Sequence, residues 1–177
     1  ATLNGDVETA RAAMADIIAN DTMPGAIAAK DRLAMARSHV DANDKISGEK
    51  VLVTMRDAEV QAMTLDEQAG FAALLAICSP ERGKARFAGL RPALLETDLD
   101  PTTRIDVLRA ALSIGDHELA DRHAEVLMGS ADAKKVFGAL RTQYALHGRD
   151  KDFRDIQKQV ALKRIHQVEA EKPQSEA

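Results

Sequence analysis

Apolar residues recur along this chain at three- and four-residue intervals, and polar turn signals interrupt them at a regular distance. In GDVETARAAMADIIAND, Val7, Ala10, Met14 and Ile17 share one face at helical spacing. Met23-Pro24-Gly25 closes that segment, and a second helix is predicted over about 26–40 with Leu33, Ala36 and Val40 as its stripe. The polar run DANDKISGE then reads as a loop, with Ser47 placed to cap a third helix over about 49–62. Thr64 and Glu67 have the spacing of a capping box, so a fourth helix starts at Leu65. Its end, FAALLAIC, is apolar on nearly every side, which predicts burial among neighbours at the centre of the fold.

Ser79-Pro80-Glu81 combines a capping hydroxyl, a proline at the first helical position and an acid against the dipole. The fifth helix that follows carries Phe87, Leu90 and Leu94, with a kink or break predicted at Pro92. Gly83 and Gly89 within it suggest close helix approach. Asp100-Pro101 opens a sixth helix bearing Ile105, Leu108 and Leu112. Gly115-Asp116 ends it and caps a seventh, whose inward residues are Leu119, Ala120, Ala124 and Leu127. Gly129-Ser130 opens an eighth with Val136, Leu140 and Tyr144, and Gly148 closes it. Asp150 is placed to cap a ninth helix with Phe153, Ile156 and Val160. The polar end EAEKPQSEA predicts a disordered tail over 167–177 beyond one helical-repeat domain at 1–166.

The order of the turns sets the architecture. Tight turns near Asp6, Asp44, Pro80, Asp116 and Asp150 recur at intervals of roughly 33 to 38 residues. Aromatics are 3% of the chain, there is no tryptophan and alanine is plentiful, a composition that favours helix and starves strands. The expectation is an all-α protein: a right-handed helix-hairpin solenoid of about four to five degenerate repeats. An irregular α-helical bundle is the alternative.

LSIGDHELADRHAEVL resembles the middle of a tetratricopeptide-type repeat, with Asp116, Ala120, Ala124 and Leu127 at the turn, small and apolar positions. LNGDVETARAAMADII is similar through Gly5, Asp6, Ala10, Met14 and Ile17. LHGRDKDFRDIQKQVAL keeps the Gly148 turn but has Arg154 and Lys158 where small or apolar residues belong. The glycine and tyrosine typical of each first helix are absent or displaced, so the likeness is to a divergent tetratricopeptide-like or Sel1-like repeat, with HEAT-like packing as a rival. It implies a binding scaffold. AKDRLAMARSHVDA, followed by alanine-rich hairpins, also resembles the MotC family of periplasmic motility proteins of alphaproteobacteria.

Charge and chemistry trim the function classes. A formal charge of −4 argues against a general nucleic-acid binder. The most basic stretch, Lys151 to Arg164, is diluted by Asp152 and Asp155 and reads as a solvated helix face. AALLAIC is too short to span a bilayer, so no direct membrane insertion is expected. The chain begins with Ala1; a bacterial cytoplasmic location or, with a leader removed, a periplasmic one is expected.

HELADRH looks at first like a metal-binding helix, yet His123 lies six residues after His117 and points away from it. His117 is expected in an exposed first turn. Cys78, the only cysteine, reads as a packing residue, and Asp66, Glu67, Asp98 and Asp100 as helix-start residues. Methionines 14, 35, 55 and 63 read as core. No cofactor, metal or catalytic site is predicted. The expected function is a non-enzymatic scaffold that binds another protein or peptide on the concave side, formed by the first helix of each pair: about 26–40, 65–78, 101–114 and 131–147. Arg37, Arg104, Arg109, Arg141 and Tyr144 are its predicted anchors, because arginine and tyrosine are enriched at interface centres. The second expectation is an oligomerising component that associates through helix 65–78 and the kinked helix after it. An enzyme would require His39, His117, His123 or His147 to converge with acids.

Overall fold

The computed structural model describes residues 27–171, and these form helices with no strand among them. In chain order they are α1 (Ala29–Asp41), α2 (Lys45–Leu52), α3 (Asp57–Gln61), α4 (Leu65–Cys78), α5 (Pro80–Glu96), α6 (Pro101–Ile114), α7 (His117–Gly129), α8 (Ala133–Leu146) and α9 (Asp150–Glu171). The helix expected over Val7–Ile17, with Met14, lies outside the described residues. No helix among those described is long and apolar enough to cross a membrane.

Local chemistry explains most boundaries. The Thr64 hydroxyl accepts from the Glu67 amide while the Glu67 carboxylate accepts from the Thr64 amide, a reciprocal box that starts α4. Asp100 accepts from the amides of Thr102 and Thr103 to start α6, with Pro101 in the first turn. Asp116 does the same for Leu119 at the start of α7. Three of the connections between sequential helices contain a residue in the left-handed region, Asn43 (φ 61), Gly115 (φ 81) and Gly148 (φ 68). Glycine and asparagine adopt that conformation at the lowest cost.

Four boundaries differ from the sequence expectation. The third helix is two pieces, α2 and α3, and Asp44 rather than Ser47 caps the first: its carboxylate accepts from the Ser47 amide at 3.0 Å. The break has a cause in the buried Arg32 of α1, whose guanidinium donates to the Thr54 carbonyl at 3.1 Å and pairs with Glu59. Ser79 precedes α5 without a side-chain capping bond. Ser130 closes α7 by donating to the Leu127 carbonyl at 2.8 Å, and α8 begins later, at Ala133. Pro92 does not break α5, which continues to Glu96. Pro92, which has no amide hydrogen to donate, and Ala88, one turn before it, are both exposed. In addition, α9 extends to Glu171, past residue 167 where the tail was expected to begin.

Every residue of α4 from Ala69 to Ile77 is buried, and this helix packs against α1, α2, α3, α5 and α6. The closest approach is to α5 at Gly83, where an added Cβ would lie 2.2 Å from the Ala76 amide nitrogen. Only a residue without a side chain fits there. Gly89, in contrast, has nothing within 4 Å and serves no close approach.

Packing follows chain order. α1 lies on α2, α4 on α5, α6 on α7 and α8 on α9. A second set of contacts joins α1 to α4, α4 to α6 and α6 to α8, and a third joins α5 to α7 and α7 to α9. The core runs through all of these seams, from Leu33 and Val40 through Leu74, Phe87, Leu108 and Leu127 to Tyr144, Phe153 and Val160.

Candidate interaction face

α1, α4 and α6 meet edge to edge, and the side chains crossing that layer form a charged network. Arg37 of α1 reaches over α4 to Asp106 of α6, Nε to Oδ2 at 2.6 Å. Gly70 of α4 makes the crossing feasible, since a Cβ there would lie 3.2 Å from the Arg37 Nη2. Arg109, one turn along α6 from Asp106, donates to Asp41 of α1 at 2.7 Å. Two arginines and two aspartates thus tie the first helix to the sixth across the fourth. Asp106 is 2% exposed, and burial pushes its carboxyl up to about 6, against the opposing pull of Arg37 and Arg109.

Each predicted anchor now has a position. Arg37 and Arg109 lie on this face, but their guanidinium groups are largely covered and already paired. Arg141 is exposed on α8, beside an open cleft lined by Gly138, Thr142, Ala145 and Leu146. Arg104 is not a surface residue: it is 6% exposed, donates to Asp98 at 2.8 Å and to the Leu99 carbonyl at 3.2 Å, and sits 3.2 Å from the His123 Nδ1. Tyr144 is fully buried; its hydroxyl donates to Asp121 at 2.8 Å, and the Arg149 guanidinium lies over its ring. Both corrections have one cause. An arginine or tyrosine at a helix–helix seam finds a buried acceptor there, and a satisfied polar tip removes the penalty of burial.

HELADRH resolves into separate roles. His117 is exposed in the first turn of α7, while His123 is buried. Asp121 accepts from Tyr144 and from both terminal nitrogens of Arg149, at 3.1 and 3.0 Å, stitching α7 to the α8–α9 turn. Burial, then the charges of Arg104 and Arg122, push the His123 imidazole down to about 4, so it is neutral near pH 7. His39 is buried beside Asp44, and His147 is exposed at the end of α8. These four histidines therefore sit apart, two of them buried and two exposed.

The paired acids are structural in placement. Asp66 of α4 accepts from the Asp100 amide and the Thr103 hydroxyl, both at 2.9 Å, which joins the starts of α4 and α6. Burial and the neighbouring Asp100 raise the Asp66 carboxyl. Asp100, though burial opposes it, is held low by hydrogen bonds from Asp66, Thr103 and two amides. Cys78 is half-buried, packed against Gly48, and burial pushes its thiol up to about 11. It is a poor nucleophile at neutral pH. Among the described residues, no group of three or more histidine, cysteine, aspartate or glutamate side chains is placed to hold a metal ion.

A second apolar cleft, of about 450 Å³, lies between α7, α8 and α9, with Met128, Phe137, Val160 and Ala161 in its wall. Comparison of the chain with family models, with curated proteins and with solved structures gives no match.

Proposed function

We propose that the chain is a non-enzymatic scaffold, built as a right-handed helix-hairpin solenoid, that binds another protein or a peptide on its concave side. That side is the one shared by α1, α4, α6 and α8. The observation that carries the reading is the order of packing. Each pair is formed by consecutive helices, and the first helices of successive pairs pack on one another along α1, α4, α6 and α8, alongside further contacts of α4 with α2 and of α8 with α7. Such nearest-neighbour stacking is the structural rule of repeat arrays. The tetratricopeptide-like positions support it as well: Ala120, Ala124 and Leu127 are buried, Gly115 is left-handed and Asp116 caps α7. A place in a periplasmic assembly of the MotC kind belongs to the same proposal.

On this face the available contacts are the half-exposed Ile105, the edges of Arg37 and Arg109, and the exposed Arg141. A photo-crosslinking side chain at Ile105 tests the assignment against the same group at Ala88, which is exposed on α5. Crosslinks to a partner from position 105 and not from 88 are expected. Equal yields from the two positions would remove the face from the proposal.

The alternative expectation placed self-association on α4 and α5. Ala69 to Ile77 of α4 are buried, which leaves Leu65 at its start as its exposed large apolar side chain.

A further inference from the structure

Most of the exposed large apolar side chains among the described residues lie in the first and last helix pairs: Ile46 on α2 and Val53 just after it, Leu146 at the end of α8, and Leu162, Ile165 and Val168 on α9. The most continuous set belongs to α9. This helix is anchored by Phe153, Ile156 and Val160, all buried. Its later contacts are Lys163 to Glu125 at 2.9 Å and Arg164 to the Met128 and Gly129 carbonyls at 3.0 and 3.2 Å. From Ala161 to Ala170 every residue is exposed.

Four residues on this helix form an ordered seam. Lys158, Leu162, Ile165 and Glu169 are spaced four, three and four apart, the interval of a coiled-coil stripe. At about 100° per residue they fall in a sector roughly 60° wide, on the side away from Phe153. The order along the seam is positive, apolar, apolar, negative. Read in the opposite direction it is its own complement. One antiparallel register, centred between residues 163 and 164, places Lys158 opposite Glu169 and Leu162 opposite Ile165 at the same time. A two-fold axis between residues 163 and 164 then generates every contact twice, as an isologous interface requires.

We propose that α9 pairs antiparallel with α9 of a second copy of this chain through Lys158, Leu162, Ile165 and Glu169. The occupant is identified by the charge order, because a foreign helix would impose no self-complementarity on this seam. Lys158 now lies 3.5 Å from Asp155 on its own helix, an exposed pair that exchanges for an intermolecular partner at little cost. Lys163 and Arg164 point to α7 and keep those bonds. The seam covers about 16 Å of helix, shorter than a standard interface provides, so the dimer is reversible and concentration-dependent. This surface is separate from the face proposed for partner binding, and either can fail without the other.

Sedimentation velocity of the full chain, from about 10 µM to about 1 mM, reads the outcome. The expected weight-average mass rises from 19.1 kDa toward twice that value. Leu162→Asp with Ile165→Asp abolishes the rise. Lys158→Glu or Glu169→Lys alone weakens association about tenfold, since two symmetry-related attractions become repulsions. The double variant Lys158→Glu/Glu169→Lys restores it. All four side chains are exposed, so helix content and melting temperature stay at wild-type values and report folding separately. A strict monomer at every concentration overturns the proposal. So does a dimer indifferent to the Leu162/Ile165 change, or a charge swap that fails to recover association.

Discussion

His123 and Asp106 are the two buried titratable side chains whose surroundings matter most to the protein's response to acid, and they act in opposite directions. The imidazole sits at about 4 in the folded chain against an ordinary 6.5, so folding disfavours its proton. Its contribution to stability is complete above about pH 6.5 and is lost as the pH falls through 4. The Asp106 carboxyl, at about 6 against an ordinary 3.8, binds its proton more tightly when folded. Its contribution is complete below about pH 3.8 and is lost as the pH rises through 6. Urea denaturation between pH 4 and 7 separates them. His123→Gln should flatten the acid-side loss by up to about 3 kcal/mol relative to wild type, and Asp106→Asn should steepen it by about 2 to 3 kcal/mol. Parallel curves for all three proteins would show that neither group is perturbed. Arg104 carries the same lesson about residue identity. It looks like a surface anchor in sequence, yet Asp98, the Leu99 carbonyl and His123 hold it inside.

Among the elements, α4 and α5 show how a single missing side chain positions a helix pair. Gly83→Ala puts a methyl group against the backbone of Ala76, where no rotamer change relieves the clash. A loss of about 2 kcal/mol or more in unfolding free energy is expected, measured by urea denaturation. Gly89→Ala, in the same helix with open space around it, should gain up to about 1 kcal/mol from helix propensity. Equal effects from the two substitutions would contradict the packing. Both glycines carry the same weight in the sequence pattern, and only the neighbour across the seam separates them. The helix starts at Leu65, Pro101 and His117 were legible because their caps are local, closed within three residues. The split between α2 and α3 was not, because its cause is Arg32, 22 residues from the Thr54 carbonyl it captures.

For the molecule as a whole, stacking in chain order implies a gradient of stability from the centre to the ends. Amides of α4 and α6, packed on both sides, should exchange with solvent last in native-state hydrogen exchange. Those beyond residue 164 of α9 should exchange first, unless a second copy covers them. A single uniform protection level along the chain would argue for a closed bundle with one cooperative core. Dimerisation through α9 adds a distinct signature, since protection of its last turns would then rise with protein concentration.

Helix content, the positions of the within-pair turns and the inward stripe of most helices were set by local sequence. Each depends on contacts within about four residues: side-chain spacing, caps, and turn residues that tolerate the left-handed conformation. The same locality made the self-complementary order on α9 readable as a string of letters, though nothing in the string marked it as exposed. The tertiary structure decided which polar side chains remain on the surface. Tyr144 and Asp106 went inside because Asp121 and Arg37, from other helices, satisfied them there, and Arg104 because Asp98, the Leu99 carbonyl and His123 did; burial of a charged or hydroxyl group is tolerated when such partners exist.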